Sequence, residues 1–204
     1  YKFFFIKTSR PIDWLEQLLY ELGYATNLIL IKVIRDSRGK ESDRTIAFLD
    51  EKVYTILIQQ NRPDIKIEPF IVPKTFHPES ISSSEPNGQI FTYNFCIPFP
   101  KLPIGIRSNT KRDNLFTQQI ELKLSPFIFQ GLIPRDAYSI TIPVVSRERN
   151  ETLGIAFITF HPSVNKDTLA SIRYVLDGTS WDNKEIMRCL WARESRKQTN
   201  RHIK

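Results

Sequence analysis

Apolar and polar positions alternate along the chain in an order that occurs twice. Lys2-Phe3-Phe4-Phe5-Ile6-Lys7 is a short aromatic run with strand character. Pro11 and Asp13 then open a helix with Ile12, Leu15, Leu19 and Leu22 at helical spacing, and Gly23 ends it. Leu28 to Ile34 reads as a buried strand, and the polar turn Asp36-Ser37-Arg38-Gly39-Lys40 leads into a third strand, Arg44 to Leu49. Glu51 to Gln60 has a helical pattern through Val53, Ile56 and Leu57, and Ile65 to Ile71 closes the unit as a fourth strand. The predicted order is βαββαβ.

Residues 73–90 carry three prolines, a serine run and Asn87-Gly88, and mark a linker. The order then returns. Phe91 to Ile97 is a strand, Asp113 to Leu124 a helix, and Tyr138 to Val145 and Leu153 to Phe160 are strands around the turn Arg147 to Glu151. Asp167 to Leu176 is a helix stopped at Gly178, and Glu185 to Trp191 is the last strand. Residues 125–137 show no regular pattern. The expected fold is α+β, with two tandem ferredoxin-like units, each an antiparallel four-stranded sheet backed by two helices. The expected boundaries are 1–73 and 91–192 for the units, 74–90 for the linker and 193–204 for a basic tail.

That order, with an aromatic third strand, resembles the RNA-recognition-motif (RRM) family over nearly the whole chain. The family's longer motif, K/R-G-F/Y-G/A-F-V-x-F/Y, falls on Arg44 to Glu51, where Arg44, Ala47 and Phe48 fit and Thr45, Ile46 and Glu51 depart. In the second unit it falls on Leu153 to Phe160, where Gly154, Ala156, Phe157 and Phe160 fit and Leu153 and Ile155 depart. Alternate strand residues share a face, so motif positions one, three and five should lie on the open side of each sheet. The resemblance implies that Phe48 and Phe157 stack bases there and that Arg44 meets phosphate. Position three is isoleucine in both units, so one stacking ring is missing twice. Phe5 and Phe95 are the candidate rings on the first strands. A one-residue shift in the second register would turn Cys96 outward instead.

Charge adds a location. The net charge of +7 is uneven: residues 1–73 hold eleven basic and ten acidic residues, residues 91–192 twelve and nine, and residues 193–204 five and one. The tail residues Arg193, Arg196 and Lys197, with Arg147 and Arg149 of the second hairpin, are therefore candidate phosphate contacts. Arg35, Arg38 and Lys40 form the equivalent loop of the first unit. Each of these groups is open to the plainer reading of a solvated charged loop or end. The motif register favours an exposed platform for Phe48 and Phe157, which are otherwise core aromatics, and Trp191 either extends the stacking face or packs inside. The basic stretch from Lys101 to Arg112 is long for a strand-to-helix connection and is either a binding loop or an ordered insertion.

Other chemistry finds little footing. Cys96 and Cys189 are too few for a disulfide framework or a zinc site, and fit a reducing compartment. His77, His161 and His202 are scattered, and neither a phosphate loop nor a nucleophile elbow occurs. No cofactor, metal or enzyme activity is expected, nor a membrane partner, because no apolar run approaches a bilayer span. Asn150-Glu151-Thr152 matches a glycosylation acceptor by a pattern that arises often by chance. The chain opens without Met, as an excised fragment would. Two functions follow: an intracellular RNA-binding module, nuclear or cytoplasmic, holding single-stranded RNA, or an RRM-like module that binds a partner protein.

Overall fold

The computed structural model describes residues 2–23, 31–36, 38–78, 94–100, 108–181 and 185–192. The first unit contains β1 (Lys2–Lys7), α1 (Ile12–Glu21), β2 (Lys32–Arg35), β3 (Glu41–Leu49), α2 (Glu51–Gln59) and β4 (Lys66–Pro69). Its strands form one sheet in the order β2-β3-β1-β4. The second unit contains β5 (Asn94–Pro98), β6 (Ser108–Asn109), α3 (Thr110–Phe129), β7 (Tyr138–Thr141), β8 (Val144–Ser146), β9 (Glu151–Thr152), β10 (Ile155–Phe160), α4 (Lys166–Leu176) and β11 (Leu190–Trp191). Its main sheet has the order β11-β5-β10-β7, the same arrangement of first, second, third and fourth strands. The fold is therefore α+β, with two four-stranded antiparallel sheets of RRM-type order.

Local chemistry sets the helix limits. Asp50 Oδ1 accepts from the Val53 amide at 2.7 Å to open α2, and the side chains of Asn109 and Asn165 open α3 and α4 in the same way. Positive φ at Gly23 and Gly178 lets the chain leave α1 and α4. The helix α3 differs most from expectation: it starts at Thr110 and continues through Pro126 to Phe129, over part of the stretch that lacked a pattern. Pro126 has no N–H for the Leu122 carbonyl, and the Ser125 hydroxyl donates to that carbonyl at 2.8 Å instead. The second hairpin is also divided. Beyond Pro143 and Gly154 its outer parts, β8 and β9, leave the main sheet and pair with β6 in a separate three-stranded sheet. The last strand shortens to Leu190–Trp191.

The two units stack. Phe4, Ile6, Ala47 and Leu49 face α1 and α2, and form one core with Leu15, Leu19, Val53 and Leu57. Phe3, Phe5, Ile46 and Phe48 share the other side of the sheet, as the β1–β3 register dictates. That side lies against the helices of the second unit. The Phe3 ring is 5.9 Å from Phe127 of α3, and Phe70 is 5.8 Å from Tyr174 of α4. Phe5 and Ile46 belong to the same buried cluster as Phe95, Ile97, Ile158, Ile172 and Leu176. The layers run α1/α2, first sheet, α3/α4, second sheet. The buried residues of α4 (Leu169, Ala170, Ile172, Arg173, Val175 and Leu176) go round most of its circumference, as befits a helix between two sheets.

Residues just after the first unit also dock on the second. A 3-10 turn at Lys74–Phe76 places Phe76 edge-on to Tyr174 at 4.7 Å, and Trp191 Nε1 donates to the Phe76 carbonyl at 2.8 Å.

One cluster spanning both units couples their unfolding. Denaturation followed by the fluorescence of a Trp14→Phe variant, which leaves Trp181 and Trp191 as reporters, should coincide with loss of overall helical dichroism in one cooperative transition. Two separated transitions would contradict the shared core.

Candidate nucleic-acid interface

The layer order decides which sheet face is available. On the first sheet, Arg44, Ile46 and Phe48 share the side away from α1 and α2, but α3 and α4 cover that side. Phe5 and Phe48 are only 4% and 3% exposed, so both are interface core and not an open stacking platform. Arg44 stays at the margin, with its guanidinium 4.3 Å from the centre of the Phe5 ring and 3.3 Å from Glu68. Its charge is paired within the unit, while its Nε is buried without a hydrogen-bond partner.

The second sheet presents the opposite arrangement. Phe95 points to the core, 4.8 Å from the Phe160 ring and 5.2 Å from Trp191, and Cys96 is the neighbour that turns outward. Trp191 is buried as well, held by its hydrogen bond to Phe76. Both corrections have one cause: Phe95, Ile97 and Phe99 alternate inward, so Cys96 and Pro98 take the outer side of β5. The outer face then consists of Asn94, Cys96 and Pro98 of β5, Ile155, Phe157 and Thr159 of β10, Ser139 and Thr141 of β7, and Leu190 of β11, as the registers require.

Ser139, Thr141 and Leu190 are exposed, the other six including Phe157 are half-buried, and none of the nine carries a charge. Phe157 sits in the middle, opposite Cys96 on one side and Thr141 on the other. Burial pushes the Cys96 thiol upward, so it stays protonated and neutral near pH 7. Among the described residues the face thus offers one aromatic ring, small apolar surface and several hydroxyls. Arg147 and Arg149 are exposed on the hairpin beyond it, where Asn150 takes a positive φ. Arg193, Arg196 and Lys197 lie outside the described residues.

Two cations join the layers, and neither was among the candidates. Lys32 of β2 sends its Nζ to the Tyr174 carbonyl at 2.5 Å and to the Asp177 carbonyl, at the C-terminal end of α4 where a positive charge is favoured. Arg173 donates to the Cys189 carbonyl at 2.9 Å and the Thr75 carbonyl at 3.2 Å, with its guanidinium 4.6 Å from the Phe76 ring. In sequence each is a lone charge within apolar neighbours, Ile31-Lys32-Val33 and Ile172-Arg173-Tyr174-Val175, which was the available sign. Burial pushes the Lys32 pKa down to about 8 against the attraction of Asp177.

Catalytic and metal chemistry has no comparable geometry. Among the described residues no three His, Cys, Asp or Glu side chains come together to hold a metal, and no helix is long and apolar enough to cross a membrane. His161 bonds to Ser163, and His77 lies 3.7 Å from Asp167.

No family model and no curated protein matches the chain. Among solved structures it is similar to the first two RRM domains of yeast poly(U)-binding protein, at 15% identity and a TM-score of 0.31, over 95% of this chain and 100% of that one. It is also similar to the Sex-lethal protein in an RNA complex, at 14% identity and a TM-score of 0.29, over 93% and 98% of the two chains. The Drosophila melanogaster Sex-lethal domains 1 and 2 follow at 16% and 0.26, over 86% and 94%. Scores of this size carry no argument about function or about how the units sit. The chain's own strand order carries the fold.

Two outcomes follow from these placements. Phe48→Ala should destabilise the protein by about 3–5 kcal/mol through lost burial and a cavity, whereas Phe157→Ala should cost about 1 kcal/mol or less, measured by denaturant unfolding. Lys32 has a folded pKa of about 8, below its unfolded value of roughly 10.4, so the native state binds fewer protons between those values. Its contribution is complete above the unfolded pKa and is lost as pH falls through the folded one. The parent should therefore gain stability relative to Lys32→Met between pH 7.5 and pH 10, read as the difference between their unfolding free energies.

Proposed function

We propose that this chain is an RNA-binding protein that holds single-stranded RNA on the outer face of its second sheet, with the first unit as a buttress. The observation that carries the reading is Phe157, centred on an uncharged and only half-buried sheet face, in a fold whose corresponding face on the first sheet is covered. A base stacks on an aromatic ring irrespective of sequence, and the surrounding hydroxyls of Ser139, Thr141 and Thr159 supply donors and acceptors to base edges. Phosphate neutralisation falls to Arg147, Arg149 and the tail residues Arg193, Arg196 and Lys197. The units are read as residues 1–73 and 91–192, and the protein as an intracellular one of nucleus or cytoplasm.

A second reading, in which the module binds a protein, has its own observation. Leu115, Leu122 and Phe129 recur every seven residues on α3 and are 56%, 71% and 74% exposed. Such a stripe suits helix docking.

Titration with labelled oligouridylate separates the two. Phe157→Ala should weaken binding by about fivefold or more, since one stacked base is worth roughly 1–3 kcal/mol. Removal of residues 193–204 should weaken binding further and flatten its salt dependence, because fewer counterions are released. Unchanged affinity in a folded Phe157→Ala protein would sink the stacking mechanism and leave the protein-binding reading in front.

A further inference from the structure

The first sheet has two edges, and the β2 edge pairs with no described strand. A groove of about 320 Å³ runs along it, with the Ile31–Arg35 edge as its floor. Glu16 of α1 stands on one side, and Lys123 of α3 with the Gly178–Ser180 turn stands on the other. Because α3 and α4 cover the outer face of the first sheet, this edge is flanked by a layer on each side, as it would not be in the first unit alone. Lys123 Nζ donates to the Ser180 carbonyl at 2.7 Å, which leaves two of its three protons for another acceptor. No described carboxylate comes within salt-bridge distance of Lys32 or Lys123, and burial lowers the pKa of both ammonium groups. Arg35 adds a third cation, paired with Glu41 at 2.9 Å.

We propose that the groove along β2 takes an acidic, extended peptide segment of a partner protein as a fifth strand of the first sheet. An edge strand carries backbone N–H and C=O groups turned away from its single neighbour, and on either side of the irregularity between Val33 and Arg35 a peptide strand matches their repeat. A nucleic-acid backbone does not, so the edge favours a peptide over RNA. The walls set the side-chain pattern. Alternate residues of the added strand face Lys32 and Lys123, where carboxylates are favoured, and the residues between them face Val33 and Glu16, where a carboxylate is repelled. The fitting sequence has acids at every second position with neutral, β-forming residues between.

The test uses the full chain, isotopically labelled, and an eight-residue peptide of alternating glutamate and valine. The amide signals of Ile31 to Arg35 and Gly178 to Ser180 should shift in titrations reaching millimolar peptide. Lys123→Gln should weaken the peptide by about threefold or more, and replacing the glutamates by lysine should abolish binding. Oligouridylate affinity should be the same in Lys123→Gln and in the parent, so loss of the RNA reading shows in Phe157→Ala and not here. Silence of the β2 amides, equal binding of the lysine peptide, or movement of those amides by oligouridylate in place of the peptide would each overturn the proposal. A melting curve of Lys123→Gln matching the parent excludes a folding effect, and should it differ, Arg35→Gln provides the same charge test from the strand itself.

Discussion

The structure depends on covering the outer side of the first sheet. Phe3, Phe5, Ile46, Phe48 and Phe70 place more apolar surface there than an isolated unit could leave in water, and α3 and α4 remove it. At about 25 cal/mol per Å², burying even one phenylalanine is worth on the order of 2 kcal/mol, so several together hold the units in one arrangement. The consequence reaches the second sheet. Once α3 and α4 are sandwiched, the two sheets differ: the first is enclosed on both sides, and the second keeps its outer side.

The polar contacts at this boundary fix its register. Lys32 meets the carbonyl end of α4, and Arg173 is held by two carbonyls and flanked by the rings of Phe76 and Trp191. Buried cations are costly unless their donors are satisfied, so they add little net stability while disfavouring misaligned packings that would strand them. Apolar contacts between the layers tolerate sliding, and these hydrogen bonds do not.

The element order was legible because strand and helix periods differ, and the registers of Arg44, Ile46 and Phe48 followed from a period of two. The inward side of Phe95 was legible too, since Phe95-Cys96-Ile97-Pro98-Phe99 alternates large and small, although the motif comparison pointed elsewhere. The enclosure of the first sheet is a long-range fact with only an indirect sign: Phe3-Phe4-Phe5-Ile6 and Ile46-Ala47-Phe48-Leu49 are apolar at every position, the mark of a strand buried on both sides. The end of α3 was hidden because Pro126 reads as a stop, and its accommodation by Ser125 appears only in three dimensions.

A single stacking ring among the described residues changes the energetics expected of the RNA reading. Two open sheets would give two modest sites joined by a linker, and their effective concentration would multiply the affinities. With the first sheet closed, that route is lost, and on the proposed reading Phe157, alone among the described residues of the face, would supply one base's worth of stacking. A neutral platform also makes no phosphate contacts of its own. The balance of the binding energy then has to come from the arginines of the β8–β9 hairpin and the cations of the tail, so affinity should depend steeply on salt and only weakly on base sequence. Specificity, where the protein has it, would arise from base edges meeting Ser139, Thr141 and Thr159, and not from a second ring.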